Sequence, residues 1–364
     1  MKYIDEFRNP DAAATLVSQI KNISSEISGK KIRIMEVCGS HTMAIGRYGI
    51  RQLLTENIEL ISGPGCPVCV TAPSYIDAAI KLAKAGHLIC TFGDMLNVPG
   101  SESSLAAVRS EGGHIELCYS PLNALEFAEK MPEKEVIFLG TGFETTIAPV
   151  ISIVDIAIKK NIRNLSIFIA FKLIPPALYA LASDPEIEID AFLCPAHVSA
   201  IIGADAYIPF VKKHHIPCVI AGFEPLDILF GIEGILRQIS EKKAFVENQY
   251  DRIVSAGGNL KAQMLMERLL EKTDAEWRGM GTIPGSGMKL KDEFKNYDAQ
   301  KKFSVRIEAE KKSSACLCGE VLKGKIKPPD CPLFAKSCTP SNPVGPCMVS
   351  SEGTCSAWYK YSRP

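Results

Sequence analysis

The last forty-nine residues restrict the possible folds more than any other part of the chain. They contain Cys316, Cys318, Cys331, Cys338, Cys347 and Cys355, together with Pro328, Pro329, Pro332, Pro340, Pro343 and Pro346. Prolines at this density exclude long helices and central strands. Little apolar material lies between them, so the segment cannot build a core of its own. A bound metal centre is one source of the missing ordering free energy. The chain's start, MKYIDEFRNPD, has no apolar signal stretch, so the cluster points to metal or redox chemistry rather than a disulfide framework.

Bulk charge narrows the function classes further. Lys plus Arg (41) equals Asp plus Glu (41), so no global field draws the chain to nucleic acid or to an anionic membrane. No apolar run reaches the roughly 18–20 residues of a membrane span. The expectation is a cytoplasmic protein with reduced thiols and no nucleic-acid or membrane partner.

Residues 1–30 read as helical, with a polar stop at Ser28-Gly29. Short apolar runs then alternate with helical patterns. The strand candidates are 32–37, 58–62, 88–92, 115–119, 135–139, 165–171, 191–193 and 217–221, with helices such as 73–85, 122–130 and 226–239 between them. This rhythm predicts an α/β protein with parallel sheets covered by helices. Two lobes facing a shared cleft are expected over 1–132 and 133–241, with a third, mostly helical or irregular domain over 242–364; one larger sheet is the alternative. Within the third part, 257–271 reads as a helix, 279–287 as a rigid loop, and 291–312 as a charged, solvated connector.

The unusual sequences follow the predicted strands: CGSHT from Cys38, GPGCPVC from Gly63, TFGD from Thr91, GTGFETT from Gly140, CPAH from Cys194 and GFEP from Gly222. Ligands of open parallel sheets bind outside the carboxyl ends of the strands, so these loops predict one cleft. Cys38 precedes a helix start, where backbone N–H groups favour a thiolate that is a nucleophile or a metal ligand; a buried structural cysteine is the competing reading. His41 lies about one turn on, as a further ligand, a proton relay or a capped core histidine. Cys66-Pro-Val-Cys69 has the spacing of a redox dithiol or a metal chelate, and a zinc site would need a second pair near by. Cys90, Cys118 and Cys218 read as small core residues, whereas Cys194 is ambiguous. GTGFETT lacks the Lys-Ser/Thr of a phosphate-binding loop.

In the tail, wide and irregular spacing suits a [4Fe–4S] cluster better than the compact pairs of a zinc ribbon. Six cysteines allow fifteen choices of four ligands, and two are left over as a possible dithiol.

Together CGSHT, GPGCPVC, TFGDM with VPGS, GTGFETT, CPAHVS, GFEP, GTIPGSG and the tail CxCGEVLKG…PPDCPLF…CTPSNPVGPCMVSSEGTCSAWYKY resemble the HypD family of [NiFe]-hydrogenase maturation factors, from about residue 31 to the C-terminus. Ala196 departs from the glycine expected in that family's CPGHVS loop. The resemblance implies cluster ligands Cys316, Cys331, Cys338 and Cys355, with Cys318 and Cys347 as a redox-active pair. It implies that Cys38 binds the iron of an Fe(CN)₂CO group, that His41 lies close to that iron, and that Cys66 and Cys69 form the redox pair of the cleft. The implied partners are a small HypC-type chaperone and a HypE-type cyanide donor. The implied role is mainly an assembly scaffold with a redox relay rather than a turnover enzyme. An iron–sulfur disulfide reductase acting on a protein partner, or a zinc-binding interaction module, is the rival reading.

Overall fold

A computed structural model describes residues 4–27, 29–307 and 315–362. All eight expected strands are present: β1 Ile32–Glu36, β2 Ile58–Ser62, β3 Leu88–Thr91, β4 Ile115–Leu117, β5 Val136–Gly142, β6 Leu165–Phe171, β7 Ala191–Pro195 and β8 Cys218–Ala221. They are joined by β9 Val246–Asn248. Most of these strands are apolar and buried along nearly their whole length, as strands covered on both faces must be. The fold is α/β, and every pairing within the two main sheets is parallel.

Strand order departs from two consecutive four-strand units. One sheet runs β2-β1-β7-β8-β9 and the other β4-β3-β5-β6. The chain therefore leaves the first sheet after β2, builds the whole second sheet, and returns to lay β7 beside β1, with Ile34 opposite Ala191. A division at residue 132 would separate β3 from its neighbour β5, which it pairs through Ile89 and Ile137.

The helix Pro10–Glu26 starts at Asn9, whose side chain accepts from the N–H groups of Asp11 and Ala12. It buries Leu16, Val17 and Ile20 and packs on the helix Pro225–Ser240, whose Leu229, Ile232 and Ile235 meet the same core. The stop expected at Ser28 lies outside the described residues.

Two expectations for the third part are corrected. The helix there spans Leu260–Leu269, but the chain turns directly into β10 Leu270–Trp277, which pairs antiparallel with β11 Gly281–Leu290. The stretch 279–287 is therefore mostly strand. Its loop-like composition reflects an irregularity between Thr273 and Ala275 and left-handed backbone at Gly281 and Gly285. The hairpin docks on the end of β6, where Leu173 N–H donates to Ser286 O at 2.8 Å. The charged connector coils through short helical turns at Asp292–Tyr297 and Ala299–Lys302, and its end beyond 307 lies outside the described residues.

The tail is held by the first lobe. The helix Thr354–Tyr361 lies on the helix Gly39–Arg47, and Arg51 stacks over Trp358 at 4.9 Å while pairing with buried Glu36 at 3.3 Å. Val321, Leu322, Met348 and Ala357 are buried in this contact region.

Candidate functional site

Four of the singled-out loops belong to the first sheet and leave its carboxyl edge side by side. The closest approach joins β1 to β2. Gly39 N–H donates to Gly65 O at 3.0 Å, and a Cβ on Gly65 would lie 2.2 Å from Cys38 N. Only glycine permits this contact, and it places the Cys38 backbone against the residue that precedes Cys66.

Cys38 forms the N-cap of the helix Gly39–Arg47, with no side-chain capping hydrogen bond. Its environment corrects the expectation of a depressed pKa. Burial pushes the thiol up to about 12, outweighing the helix-start N–H groups of His41 and Ser40 that pull it down. Nearby Glu352 raises it further. The residue keeps 8% exposure, so it is covered rather than sealed.

His41 is wholly buried. Its Nε2 faces the carbonyl oxygens of Ala221 (3.0 Å) and Gly222 (2.9 Å), so Nε2 carries the proton and donates. Nδ1 then presents a lone pair, and it is a buried atom with no hydrogen-bond partner among the described residues. Burial holds the pKa down at about 4, so the ring is neutral. Phe223 stands between the two loop histidines, 4.9 Å from His41 and 4.3 Å from His197, ring centre to ring centre.

The tail reaches the same edge. Ser40 Oγ donates to Glu352 at 2.6 Å, and Ser350 Oγ donates to Asp94 of the TFGD loop at 2.6 Å, tying in a loop from the second sheet. Glu352 was invisible to sequence reasoning, being one carboxylate in a polar loop. By contrast, Glu144 of GTGFETT turns to the second lobe. Its Oε1 accepts from Ile174 N–H at 2.9 Å, and burial raises its pKa to about 7.

Cys66 and Cys69 are both buried, with Cys69 N–H directed at Cys66 Sγ at 3.4 Å. Cys69 also interacts with Cys347 of the tail, and its Sγ donates to Pro346 O at 3.9 Å. Cys347 in turn contacts Cys318, which contacts Cys316. A line of sulfurs therefore runs Cys66, Cys69, Cys347, Cys318, Cys316. Burial, then Cys347 and Cys66, push the Cys69 thiol up. Cys318 is held well below the usual thiol range by hydrogen bonds from Cys316 and Cys347, with the Arg278 guanidinium adding to the effect.

Cys331, Cys338 and Cys355 form the other end of the group. Burial pushes the Cys355 thiol up, and the neighbouring Cys318, Cys338 and Cys331 push it further. Val344 N–H donates to Cys338 Sγ at 3.4 Å. Among the described residues no three ligands are closed around one metal position, and Cys316 lies with Cys318 and Cys347, just after the stretch 308–314. The donor set is nonetheless all sulfur, buried at Cys331, Cys338 and Cys355 and half-buried at Cys316, and served by a backbone N–H, which fits a thiolate-held iron–sulfur group and no hard cation. Cys90, Cys118 and Cys218 are core residues as expected, and Cys194 resolves as one, fully buried against Cys218.

No described helix is long and apolar enough to cross a membrane. A family profile described as "HypD: Hydrogenase formation hypA family" matches residues 11–362. The chain is 45% identical over 372 residues to the hydrogenase maturation factor HypD of Azotobacter vinelandii, covering 100% of this chain and 97% of the relative. It is 41% identical over 368 residues to the Escherichia coli protein of the same description, covering 100% and 99%, and 40% identical over 370 residues to that of Rhodobacter capsulatus, covering 99% and 98%.

Proposed function

The chain belongs to the HypD family of hydrogenase maturation factors, and we propose that it serves this role as the scaffold on which the Fe(CN)₂CO group is assembled, with a thiol relay behind the assembly site. The supporting observation is the unbroken line of thiols from the loop beside Cys38 to the buried sulfur group of the tail.

Cys38 is the anchor for the iron cargo, shared with a small HypC-type partner, and a HypE-type protein supplies cyanide. A low-valent iron bearing cyanide and carbon monoxide suits a thiolate anchor. Because burial favours the protonated thiol at Cys38, iron must displace that proton, and loading releases it. The free lone pair of His41 Nδ1 is a neutral base or ligand three residues on in the same helix start. Phe223 and the packed loops limit water at the edge of the sheet, which protects a reactive assembly.

Cys316, Cys331, Cys338 and Cys355 would hold a [4Fe–4S] cluster, which supplies one-electron storage when bound. The chain's own thiols perform two-electron exchange. Cys347 attacks Cys69 of a Cys66–Cys69 disulfide, forming a Cys347–Cys69 bond and expelling Cys66, which takes a proton. Cys318 then attacks Cys347, forming a Cys318–Cys347 disulfide and releasing Cys69 as a thiol. The upstream pair gains two electrons and two protons, and the tail pair loses them.

The test is infrared spectroscopy of the anaerobically purified chain with its small partner. Bands of metal-bound cyanide and carbonyl are expected in the wild type and should disappear in Cys66→Ala, whose cluster absorption stays intact. Bands of full intensity in Cys66→Ala would refute the relay. Their absence from the wild type would refute the scaffold and leave an iron–sulfur disulfide reductase.

A further inference from the structure

Arg278 follows buried Trp277 at the end of β10 and is itself buried. No carboxylate among the described residues forms an ion pair with it, and its Nη1 has no hydrogen-bond partner there. A permanent guanidinium cation buried without an opposite charge carries a desolvation cost of several kcal/mol. Its observed neighbour is sulfur: the guanidinium contacts the Cys318 thiol.

The backbone fixes that contact from two sides. Arg278 N–H donates to Val70 O at 2.9 Å, one residue past Cys69. Gly279, in the left-handed region at φ +74°, lies so close to Gly319 that a Cβ on it would fall 2.2 Å from Gly319 Cα. Two glycines thus let the Arg278 turn press directly on the start of the helix Cys318–Leu322. The contact joins the upstream dithiol loop, the hairpin and the tail.

We infer that Arg278 is the counter-charge of the sulfur-rich centre, a positioning residue whose fixed cation offsets the negative charge of the thiolates around Cys318 and thereby sets the potential of the iron–sulfur group they hold. The inference rests on the all-thiolate reading of the tail given above. A nearby cation favours the reduced, more negative state, so its removal lowers the midpoint potential.

The experiment is a spectroscopically monitored potential titration of the reconstituted full chain, comparing wild type with Arg278→Met and Arg278→Lys. In Arg278→Met the equilibrium for reduction should fall at least tenfold, about 59 mV for one electron, whereas Arg278→Lys should keep most of the wild-type value. Loss of iron from Arg278→Met, with retention in Arg278→Lys, would also support the assignment, since the lysine restores the cation that methionine lacks. An unshifted potential in loaded Arg278→Met would overturn it, as would equal iron loss in both variants. A wild-type chain that takes up no iron and sulfide refutes the cluster reading itself, and the assignment with it.

Discussion

Replacing Gly65 by alanine tests the geometry on which the proposed assembly site depends. The added Cβ would lie 2.2, 2.3 and 2.5 Å from Cys38 N, Cα and C, where ordinary contact is 3.4–4 Å. All three obstacles are backbone, so no rotamer change relieves them, and the loops after β1 and β2 must part by roughly an ångström. Overpacking of this kind costs about 3 kcal/mol, the upper end of its usual range. For a chain of this length each kcal/mol moves Tm by about 2 °C at most, so a fall of about 5 °C is expected by calorimetry. The control is Gly257→Ala, which adds a methyl into open space and should leave Tm unchanged. Because the displacement falls between Cys38 and Cys66, Gly65→Ala should also lose the infrared bands expected of the proposed iron cargo while keeping the absorption expected of the proposed tail cluster. If Gly65→Ala melts with the control and retains those bands, the two loops do not meet as described.

Two further outcomes follow from the same geometry. In the double variant Cys66→Ser/Cys318→Ser, mild oxidation with oxidised glutathione should produce a Cys69–Cys347 disulfide, detected by peptide mass mapping; a dominant bond from Cys69 to any other cysteine would remove Cys347 from the bridging position. The second concerns Glu144, whose buried carboxyl titrates near 7 in the fold against an ordinary value of 4.5. Its contribution is fully present below pH 4.5 and is lost as pH rises through 7, up to about 3 kcal/mol. Glu144→Gln should therefore be more stable than wild type at pH 8 and flatten the pH dependence between 4.5 and 7 in urea unfolding; identical pH profiles would contradict the burial argument.

The strands were legible because each is a short, nearly continuous apolar run bounded by glycine or proline, and both faces of each parallel sheet demand that pattern. Sheet membership was not legible. Nothing local to Ile34 indicates that its neighbour is Ala191, since pairing across such separations is decided by how helices cover the sheet. The hairpin β10–β11 was missed because its second strand carries Pro284 and three glycines, a composition that reads as a turn. The thiols of the site could be picked out by residue type and by position after strands. Glu352 and Arg278 could not, because a lone charge has no period or spacing, and its importance comes only from what the fold brings beside it. The expected low pKa of Cys38 failed for a related reason: the helix start was visible in the sequence, but the depth of burial was not.

The excursion of the chain between β2 and β7 has a consequence for its synthesis. All four strands of the second sheet are contiguous in sequence, so that lobe can close while the ribosome is still translating. The first sheet cannot, because β1 waits for a neighbour that emerges some 150 residues later. Until then the nascent polypeptide carries Cys38, Cys66 and Cys69 on an unfinished sheet, open to air and stray metal. Shelter arrives only when the stretch around Ser350 and Glu352, which closes over Ser40 and Asp94, has left the exit tunnel.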